Sequence, residues 1–315
     1  MRIIFMGTPD FAVPCLEALI EEGHEIIGVF TQPDKPKGRG NKLTMPPVKE
    51  VAQEAGLIVY QPENMKTDEV FEIVNDLEPD LIIVVAYGHI LPKRILNIPP
   101  FGCINVHASL LPKYRGAAPI NWVIINGEAS TGVTTMYMEE GLDTGDMILK
   151  EKIAIKPDET AGELHDRLSI IGAEVLTKTI DLIEVGGVER EPQKDEEATY
   201  AKIMSKDLGK IHWANEAIKI KNLIRGTIPW PGAFTTYINR TMKIWRGRVE
   251  NIDEEYLPGK IIEVSKEGIY VGTSKGLLII EELQFSGGKR MTVKEYLVGN
   301  TIEKGIVLGE ENELS

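Results

Sequence analysis

The chain has 315 residues, of which 43% are hydrophobic and 26% charged, and its net charge is −13. This length suits about two domains, and the composition is that of a soluble globular protein. The negative charge argues against diffuse nucleic-acid binding by the whole surface. Cys15 and Cys103 provide neither a disulfide framework nor a zinc spacing, and no apolar run reaches membrane-spanning length. We therefore expect a cytoplasmic protein without metal or membrane association.

The chain opens with a strand–helix–strand pattern. An apolar run at 2–6 is followed by a turn, a helical pattern over 11–22 and a second apolar run at 26–31. Such an opening is typical of dinucleotide-binding units, but only Gly7 of the G-x-G-x-x-G fingerprint is present. We therefore predict Rossmann-like topology without NAD.

Strands and helices continue to alternate up to residue 185. Further strands are predicted at 57–61, 80–87, 102–107, 131–139 and 147–155, and helices at 46–55, 67–77, 118–125 and 160–185. Continuously apolar strands that alternate with helices are typical of a parallel sheet buried on both faces. The sequence predicts an α/β domain over 1–189, with a mostly parallel sheet and helices on both faces.

The pattern changes after a polar, breaker-rich segment, which we interpret as an interdomain linker over 190–205. Beyond it, apolar runs recur roughly every ten residues and are punctuated by turns. They are predicted as strands at 233–239, 243–249, 259–264, 268–272 and 277–283, with short helices at 215–225 and 293–298. This spacing predicts a small antiparallel, OB-like β-barrel over 206–315.

Two polar side chains, Asn105 and His107, finish the predicted strand at 102–107. Their spacing of two places both on one face of the strand. Ligands of open α/β sheets bind outside the carboxyl ends of strands, where an amide and an imidazole suit an oxyanion donor and an acid–base group. Taken alone, such a pair is more often a hydrogen-bonded end to a strand.

The strand at 131–139 leads into an acidic, glycine-containing turn at 139–146. A carboxylate from this turn, Asp143, would lie beside His107, orient the imidazole and stabilise its charged form. The alternatives are a plain acidic turn or a weak cation site. The turn lacks the length and glycine placement of an EF-hand loop, so we discount calcium.

Positive charge is concentrated in two segments. Residues 32–48 form a loop rich in Pro and Gly on the predicted active edge of the sheet, with four cations against one acid. Residues 202–248 carry ten Lys or Arg against two acids. This pattern indicates a localised footprint for a polyanion, and two solvated surfaces are the alternative interpretation.

The run from Asn105 to Pro119 reads N-x-H-x-S-L-L-P-x-Y-R-G-A-A-P and is followed by D-T-G-D at 143–146. This combination resembles the formyltetrahydrofolate-dependent formyltransferases. The resemblance extends to F-M-G-T-P-D-F at 5–11, Q-P-D…G-R-G at 32–40 and P-W-P-G-A at 229–233, and so covers nearly the whole chain. Together these motifs are far more specific than any one of them.

The resemblance implies transfer of a formyl group from 10-formyltetrahydrofolate to the α-amino group of initiator methionyl-tRNA, by a chain that we expect to be a monomer. It implies catalytic roles for Asn105, His107 and Asp143. The predicted folate pocket comprises Ser109, Leu110, Leu111, Pro112, Tyr87, Gly88, Ile90, Met138 and Gly141. The predicted tRNA contacts are Lys35, Lys37, Arg39, Lys42, Lys206, Lys210 and Arg246.

Two alternatives remain at this point. An amino-sugar nucleotide or glycinamide acceptor would keep the chemistry, although the basic segments favour tRNA. A non-catalytic tRNA-binding protein on a decayed site is disfavoured because all three catalytic positions are filled. The sequence leaves open whether Arg115 is structural or faces the substrate.

Overall fold

The computed structural model describes residues 1–37, 42–252 and 254–309, with the backbone alone at Lys37 and Lys42. These residues form two compact units. The first comprises 1–119, 130–154 and 165–201, and the second comprises 120–129, 155–164 and the chain from 202 onward. The units do not follow chain order, and the predicted division into 1–189, 190–205 and 206–315 stays a prediction.

A seven-stranded sheet forms the centre of the first unit, in the order β10-β9-β7-β6-β1-β2-β5. The strands up to β7 pair in parallel, whereas β9 pairs antiparallel with both β7 and β10. The strands of this sheet are β1 (Arg2–Gly7), β2 (Glu25–Phe30), β5 (Val59–Tyr60), β6 (Leu81–Val85), β7 (Cys103–His107), β9 (Ser130–Tyr137) and β10 (Met147–Ala154). The predicted Rossmann-like, mostly parallel sheet is confirmed.

The central strands of this sheet are buried along their whole length. Every residue of β6 is buried, as its continuously apolar sequence predicts, and every residue of β7 is buried as well, including Asn105 and His107. Ile82 and Val84 of β6 pack in one cluster with Ile4 and Met6 of β1. Burying one such side chain stabilises the fold by about 1.5–3 kcal/mol. This core fixes the carboxyl ends of β1, β2, β6 and β7 along one edge.

Between residues 1 and 201, the described part of the chain forms the helices α1 (Val13–Glu21), α2 (Pro47–Glu54), α3 (Asp68–Asp76), α4 (Lys93–Leu96), α5 (Pro119–Ile125) and α6 (Ala161–Glu184). Helix α5 from Ile120 onward and the start of α6 up to Leu164 belong to the second unit. Helix α6 begins with reciprocal capping, in which Thr160 Oγ1 accepts from the Glu163 amide at 3.3 Å and Glu163 Oε2 accepts from the Thr160 amide at 2.8 Å. No helix of the described ranges has the length and hydropathy to cross a bilayer.

Two short strand pairs depart from the sequence-based expectation. The basic loop contains β3 (Lys35–Lys37) and β4 (Lys42–Thr44), which pair antiparallel. The segment interpreted as a linker contains β11 (Tyr200–Ala201), which pairs in parallel with β8 (Arg115–Gly116). Pairs of two or three residues carry too little periodicity to be seen in a sequence.

The second unit contains an antiparallel sheet in the order β12-β13-β16-β15-β14, with β17 paired to β16. Its elements are α7 (Ala217–Gly226), β12 (Ala233–Tyr237), β13 (Arg240–Glu250), β14 (Ile261–Ser265), β15 (Gly268–Gly272), β16 (Leu277–Phe285), β17 (Met291–Thr292) and α8 (Val293–Tyr296). The predicted antiparallel fold is confirmed. The pairing forms an open path from β12 to β14, so closure into an OB-like barrel stays a prediction.

Candidate active site

Strand β7 delivers Asn105 and His107 to the carboxyl edge of the sheet. The two residues are only 9% and 6% exposed. Because β6 and β9 flank β7 on both sides, its backbone is fixed by two ladders of hydrogen bonds. The side chains of Asn105 and His107 therefore have little freedom before any substrate binds.

The tautomer of His107 follows from its hydrogen bond to the main chain. His107 Nε2 lies 2.9 Å from the carbonyl oxygen of Tyr114. A carbonyl only accepts, so Nε2 carries the hydrogen and Nδ1 is the nitrogen that remains for proton exchange. Nδ1 lies 3.8 Å from Oδ2 of Asp143.

Asp143 lies in the turn after β9 and has a backbone φ of +53°. Its Oδ2 accepts the amide hydrogen of Gly116 at 2.8 Å, while its Oδ1 lies 3.5 Å from Nδ2 of Asn105. One carboxylate oxygen is thus fixed by the main chain, and the other faces Asn105. The structure brings the three predicted catalytic residues together at one strand end.

Two protein-family models match most of this sequence. The model of the formyl transferase family matches residues 1–180, and that of the formyl transferase C-terminal domain matches residues 203–301. A methionyl-tRNA formyltransferase of Alkaliphilus oremlandii is 63% identical over 98% of this chain and 100% of its own length. One from Clostridioides difficile is 59% identical, with the same coverage of 98% and 100%.

The chain belongs to the methionyl-tRNA formyltransferase family.

A solved structure shares the fold of this formyltransferase at low identity. The N-formyltransferase of Helicobacter canadensis, in complex with folinic acid and dTDP-3-aminofucose, superposes with a TM-score of 0.67 at 19% identity. The match covers 92% of this chain and 100% of that one. At this identity the likeness supports the fold and no finer statement.

Three of the predicted folate-pocket residues have buried side chains in this formyltransferase. Ser109 is fully buried, and its hydroxyl donates to the carbonyl of Lys113 at 2.6 Å. Leu111 packs against Met136 and Met147. The phenol of Tyr87 faces the interior, where its hydroxyl lies 3.2 Å from the sulfur of Met65. Their assignment to the folate pocket stays a prediction.

The other predicted pocket residues are more accessible. Gly88, Ile90 and Gly141 are exposed, and Ile90 is 77% exposed. Leu110, Pro112 and Met138 are half-buried. All of these residues follow the carboxyl ends of β6, β7 or β9, and their assignment to the folate pocket stays a prediction.

The predicted tRNA contacts in the first unit belong to the basic loop. Lys35 is exposed, with its Nζ 3.3 Å from Oε1 of Gln32. Arg39 lies outside the described residues, as do the side chains of Lys37 and Lys42.

The base of the basic loop is anchored by Asp34. Both oxygens of its carboxylate lie 2.9 Å from Lys49 Nζ, and Oδ1 accepts from Gln61 Nε2 at 2.8 Å. The hydrogen bond from Gln61 and then that from Lys49 hold the pKa of Asp34 below its usual value. The loop therefore starts from a fixed point while Lys35 remains exposed.

The predicted tRNA contacts in the second unit lie on its surface. Lys206 and Lys210 are exposed. The side chain of Arg246 is 68% exposed and forms an ion pair with Glu281 at 3.1 Å. Exposed cations of this kind suit phosphate contacts, but their role stays a prediction.

Sequence reasoning missed one residue of this region, Gln193. Its amide nitrogen lies 2.8 Å from the carbonyl oxygens of Asp143 and of Gly145, and its Oε1 accepts from Arg115 Nε at 3.0 Å. The available signal was Arg115 itself, because a guanidinium that folds into the interior requires hydrogen-bond acceptors from elsewhere in the chain. Within the described residues, no group of three or more His, Cys, Asp or Glu is arranged to hold a metal ion.

Proposed function

We propose that the chain transfers a formyl group from 10-formyltetrahydrofolate to the α-amino group of methionine on initiator methionyl-tRNA, giving formylmethionyl-tRNA for translation initiation. The observation that carries this proposal is the convergence of Asn105, His107 and Asp143, with Asp143 within 3.5 Å of Asn105 and 3.8 Å of His107. An amide donor, an imidazole and a carboxylate at one strand end are the groups that acyl transfer to an amine requires.

Asn105 would stabilise the oxygen of the tetrahedral intermediate. When the neutral amine attacks the formyl carbon, the carbonyl oxygen becomes an oxyanion. The Asn105 amide is nearly buried and held on a rigid strand, so its N–H can donate to that oxygen without reorganisation. Removing one such donor from an enzyme typically costs about a hundred- to a thousandfold in kcat.

His107 and Asp143 would carry out the proton transfers. The attacking nitrogen must lose a proton, and the folate nitrogen must gain one as its bond to the formyl carbon breaks. Because His107 Nε2–H is engaged with the Tyr114 carbonyl, the transfer would run through Nδ1. Oδ2 of Asp143 is held by the Gly116 amide, whereas Oδ1 lies 3.5 Å from Nδ2 of Asn105, so Oδ1 would accept the amine proton directly or through water.

A covalent intermediate on Cys103 is not part of the proposal. Cys103 is 2% exposed, and burial raises the pKa of its thiol to about 12. The thiolate, which is the nucleophilic form, is therefore not populated near neutral pH. Direct attack of the amine on the formyl carbon needs no protein nucleophile.

The cosubstrate assignment draws on the fold relative. The Helicobacter canadensis N-formyltransferase binds folinic acid, a formylated tetrahydrofolate. The apolar and glycine residues that follow β6, β7 and β9 in the chain would contact the folate ring of 10-formyltetrahydrofolate. The relatives' names and the two basic segments support tRNA as the acceptor. We further propose that the chain acts as a monomer in the cytoplasm.

The acceptor is tested by competition between substrates. The full chain is incubated with 10-formyltetrahydrofolate and with charged initiator tRNA, an amino-sugar dTDP nucleotide or glycinamide ribonucleotide. We expect formyl transfer to the charged tRNA at a kcat/KM at least about a hundredfold above that for either small acceptor, the scale on which a site discriminates by polar contacts. A preference for a small acceptor would overturn the assignment, and binding of tRNA without transfer would identify a non-catalytic protein.

A further inference from the structure

Three consecutive residues, Tyr114 to Gly116, each bond a different part of the candidate site. The carbonyl of Tyr114 holds His107 Nε2 at 2.9 Å, and the amide of Gly116 holds Asp143 Oδ2 at 2.8 Å. Arg115 lies between them and is only 1% exposed. Its backbone amide donates to the carbonyl of Thr199 at 2.8 Å. This segment is therefore fixed from one side by residues 199–201.

The Arg115 side chain determines how the Gln193 amide is oriented. Arg115 Nε only donates, so the atom that it meets at 3.0 Å must be the oxygen of Gln193. The NH₂ group of Gln193 then points the other way, and its nitrogen lies 2.8 Å from the carbonyl oxygens of Asp143 and of Gly145. A primary amide has two hydrogens, and both are used in this arrangement.

These contacts act on a turn with a left-handed residue. Asp143 has a φ of +53°, a conformation that costs most non-glycine residues about 1–2 kcal/mol and that Asp adopts more readily than most. Gln193 fixes the main-chain carbonyls on both sides of Thr144, and so fixes the direction in which the Asp143 carboxylate points. The exposed carboxylate of Asp195 lies at the ion-pair distance of 2.9 Å from Arg115 Nη2, but within the described residues this nitrogen makes no hydrogen bond of good geometry.

We propose that Arg115 and Gln193 are positioning residues for the formyl transfer, and that they set the Asp143 carboxylate through the main chain of its turn. This inference rests on the proposed catalytic role of Asp143. It gives the segment after residue 190 a role in the site. It also means that Arg115 does not face the substrate, because its guanidinium acts through Gln193.

A purely structural role makes the opposite prediction for one substitution. If Gln193 only provides an acceptor for the buried guanidinium, Gln193→Glu keeps that acceptor and adds a favourable charge, so turnover would be preserved. If Gln193 positions the turn through its N–H groups, Gln193→Glu replaces two donors by an oxygen facing two carbonyl oxygens. Turnover should then fall as far as in Gln193→Ala.

The experiment measures kcat, both KM values and the thermal midpoint for Gln193→Glu, Gln193→Ala and Arg115→Lys in the full chain. We expect kcat to fall about ten- to a hundredfold in both Gln193 variants, the scale of a carboxylate misplaced by about 1 Å, with both KM values changed less than about threefold. Arg115→Lys should lower kcat similarly, because an ammonium lacks the planar fork that orients the Gln193 amide. All assays are run well below the lowest thermal midpoint of the set, so that every variant is folded.

Thr179→Val is the matched control. Its hydroxyl is fully buried, donates to the Val175 carbonyl at 2.7 Å and lies 2.7 Å from the hydroxyl of Thr135, so its hydrogen bonds lie in the same unit but do not reach Asp143, Arg115 or Gln193. It should lower the thermal midpoint without changing kcat. Near-normal kcat in Gln193→Glu, or a loss in Thr179→Val as large as that in Gln193→Ala, would overturn the inference.

Asp143→Asn separates this inference from the proposed function. If Asp143→Asn remains active, the catalytic role of Asp143 fails, and the positioning role fails with it. If Asp143→Asn is inactive while both Gln193 variants are normal, only the positioning role fails. If the catalytic role of Asp143 and the positioning role of Gln193 are both correct, the double variant Asp143→Asn, Gln193→Ala should lose no more activity than Asp143→Asn alone, because the two residues act on one step.

Discussion

The strand-end site and the basic loop lie on the same edge of one sheet, yet they are built in opposite ways. Asn105 and His107 are nearly buried, and main-chain groups hold both His107 and Asp143. In the basic loop, Lys35 is exposed, and the fixed point is Asp34 at its base. Oxyanion and proton chemistry depends on groups fixed before the reaction, whereas attraction of a polyanion depends chiefly on the number of cations.

This difference predicts how the two regions respond to substitution. In the site, each side chain has one position and one partner set, so a single change should remove most of the rate. In the loop, several cations share one electrostatic task, so single changes should be mild and their effects should add.

Replacing any one of the three catalytic candidates should abolish most of the activity. For Asn105→Ala, His107→Ala and Asp143→Ala we expect kcat for formyl transfer to fall by about a hundred- to a thousandfold or more, since each removes an oxyanion donor or a proton carrier. The measurement is single-turnover formyl transfer to charged initiator tRNA, with folding monitored by circular dichroism. Near-normal turnover in one variant would remove that residue from the reaction.

A smaller loss should follow from Gly116→Ala, which changes no catalytic side chain. Gly116 has a φ of +109°, and an added Cβ would lie 2.8 Å from the carbonyl oxygen of Ala201. Relief of that clash would move the amide that holds Asp143, so we expect kcat to fall about tenfold and stability to fall by about 1–3 kcal/mol. Thermal unfolding and kcat are measured on the same sample.

Gly186→Ala is the control for backbone strain. Gly186 also has a positive φ, +66°, but a Cβ there would meet no atom within 4 Å. It should lose about 1 kcal/mol of stability and keep its kcat. If the two glycine variants lose activity equally, the Gly116 amide does not position Asp143.

The same contrast separates what the sequence could predict from what it could not. The place of Asn105 and His107 in the site could be predicted from the sequence because a strand has a period of two and ends at a known edge of the sheet. The place of Asp143 could be predicted because its turn follows a neighbouring strand. The position of Gln193 could not be predicted from the sequence. Gln193 lies in a segment with the composition of a linker, and its contacts join residues that are 48 to 78 positions apart. Only tertiary packing determines such contacts.

Burial was the other property that local patterns did not supply. The sequence places Tyr87 and Ser109 at the right edge of the sheet, and both were predicted to line the folate pocket. Their side chains turn towards Met65 and the Lys113 carbonyl, and their place in the folate pocket stays a prediction. A periodic pattern assigns a residue to an element, but near the end of a strand it does not decide which way a side chain turns.

The mildest prediction concerns the basic loop. Neutralising Lys35, Lys37, Arg39 and Lys42 together with Gln should weaken tRNA binding while leaving kcat at saturating tRNA within about twofold, because the chemistry lies elsewhere. Each lost phosphate contact should reduce the slope of log K against log salt by about 0.7–0.9. The measurement is tRNA affinity at several salt concentrations.

A control replaces four exposed lysines outside both predicted tRNA segments with Gln, namely Lys66, Lys152, Lys178 and Lys266. Equal slopes for the two quadruple variants would show that only total charge matters and that the loop is not a contact. A large loss of kcat in the loop variant would instead place the loop among the fixed groups and erase the contrast between the two regions.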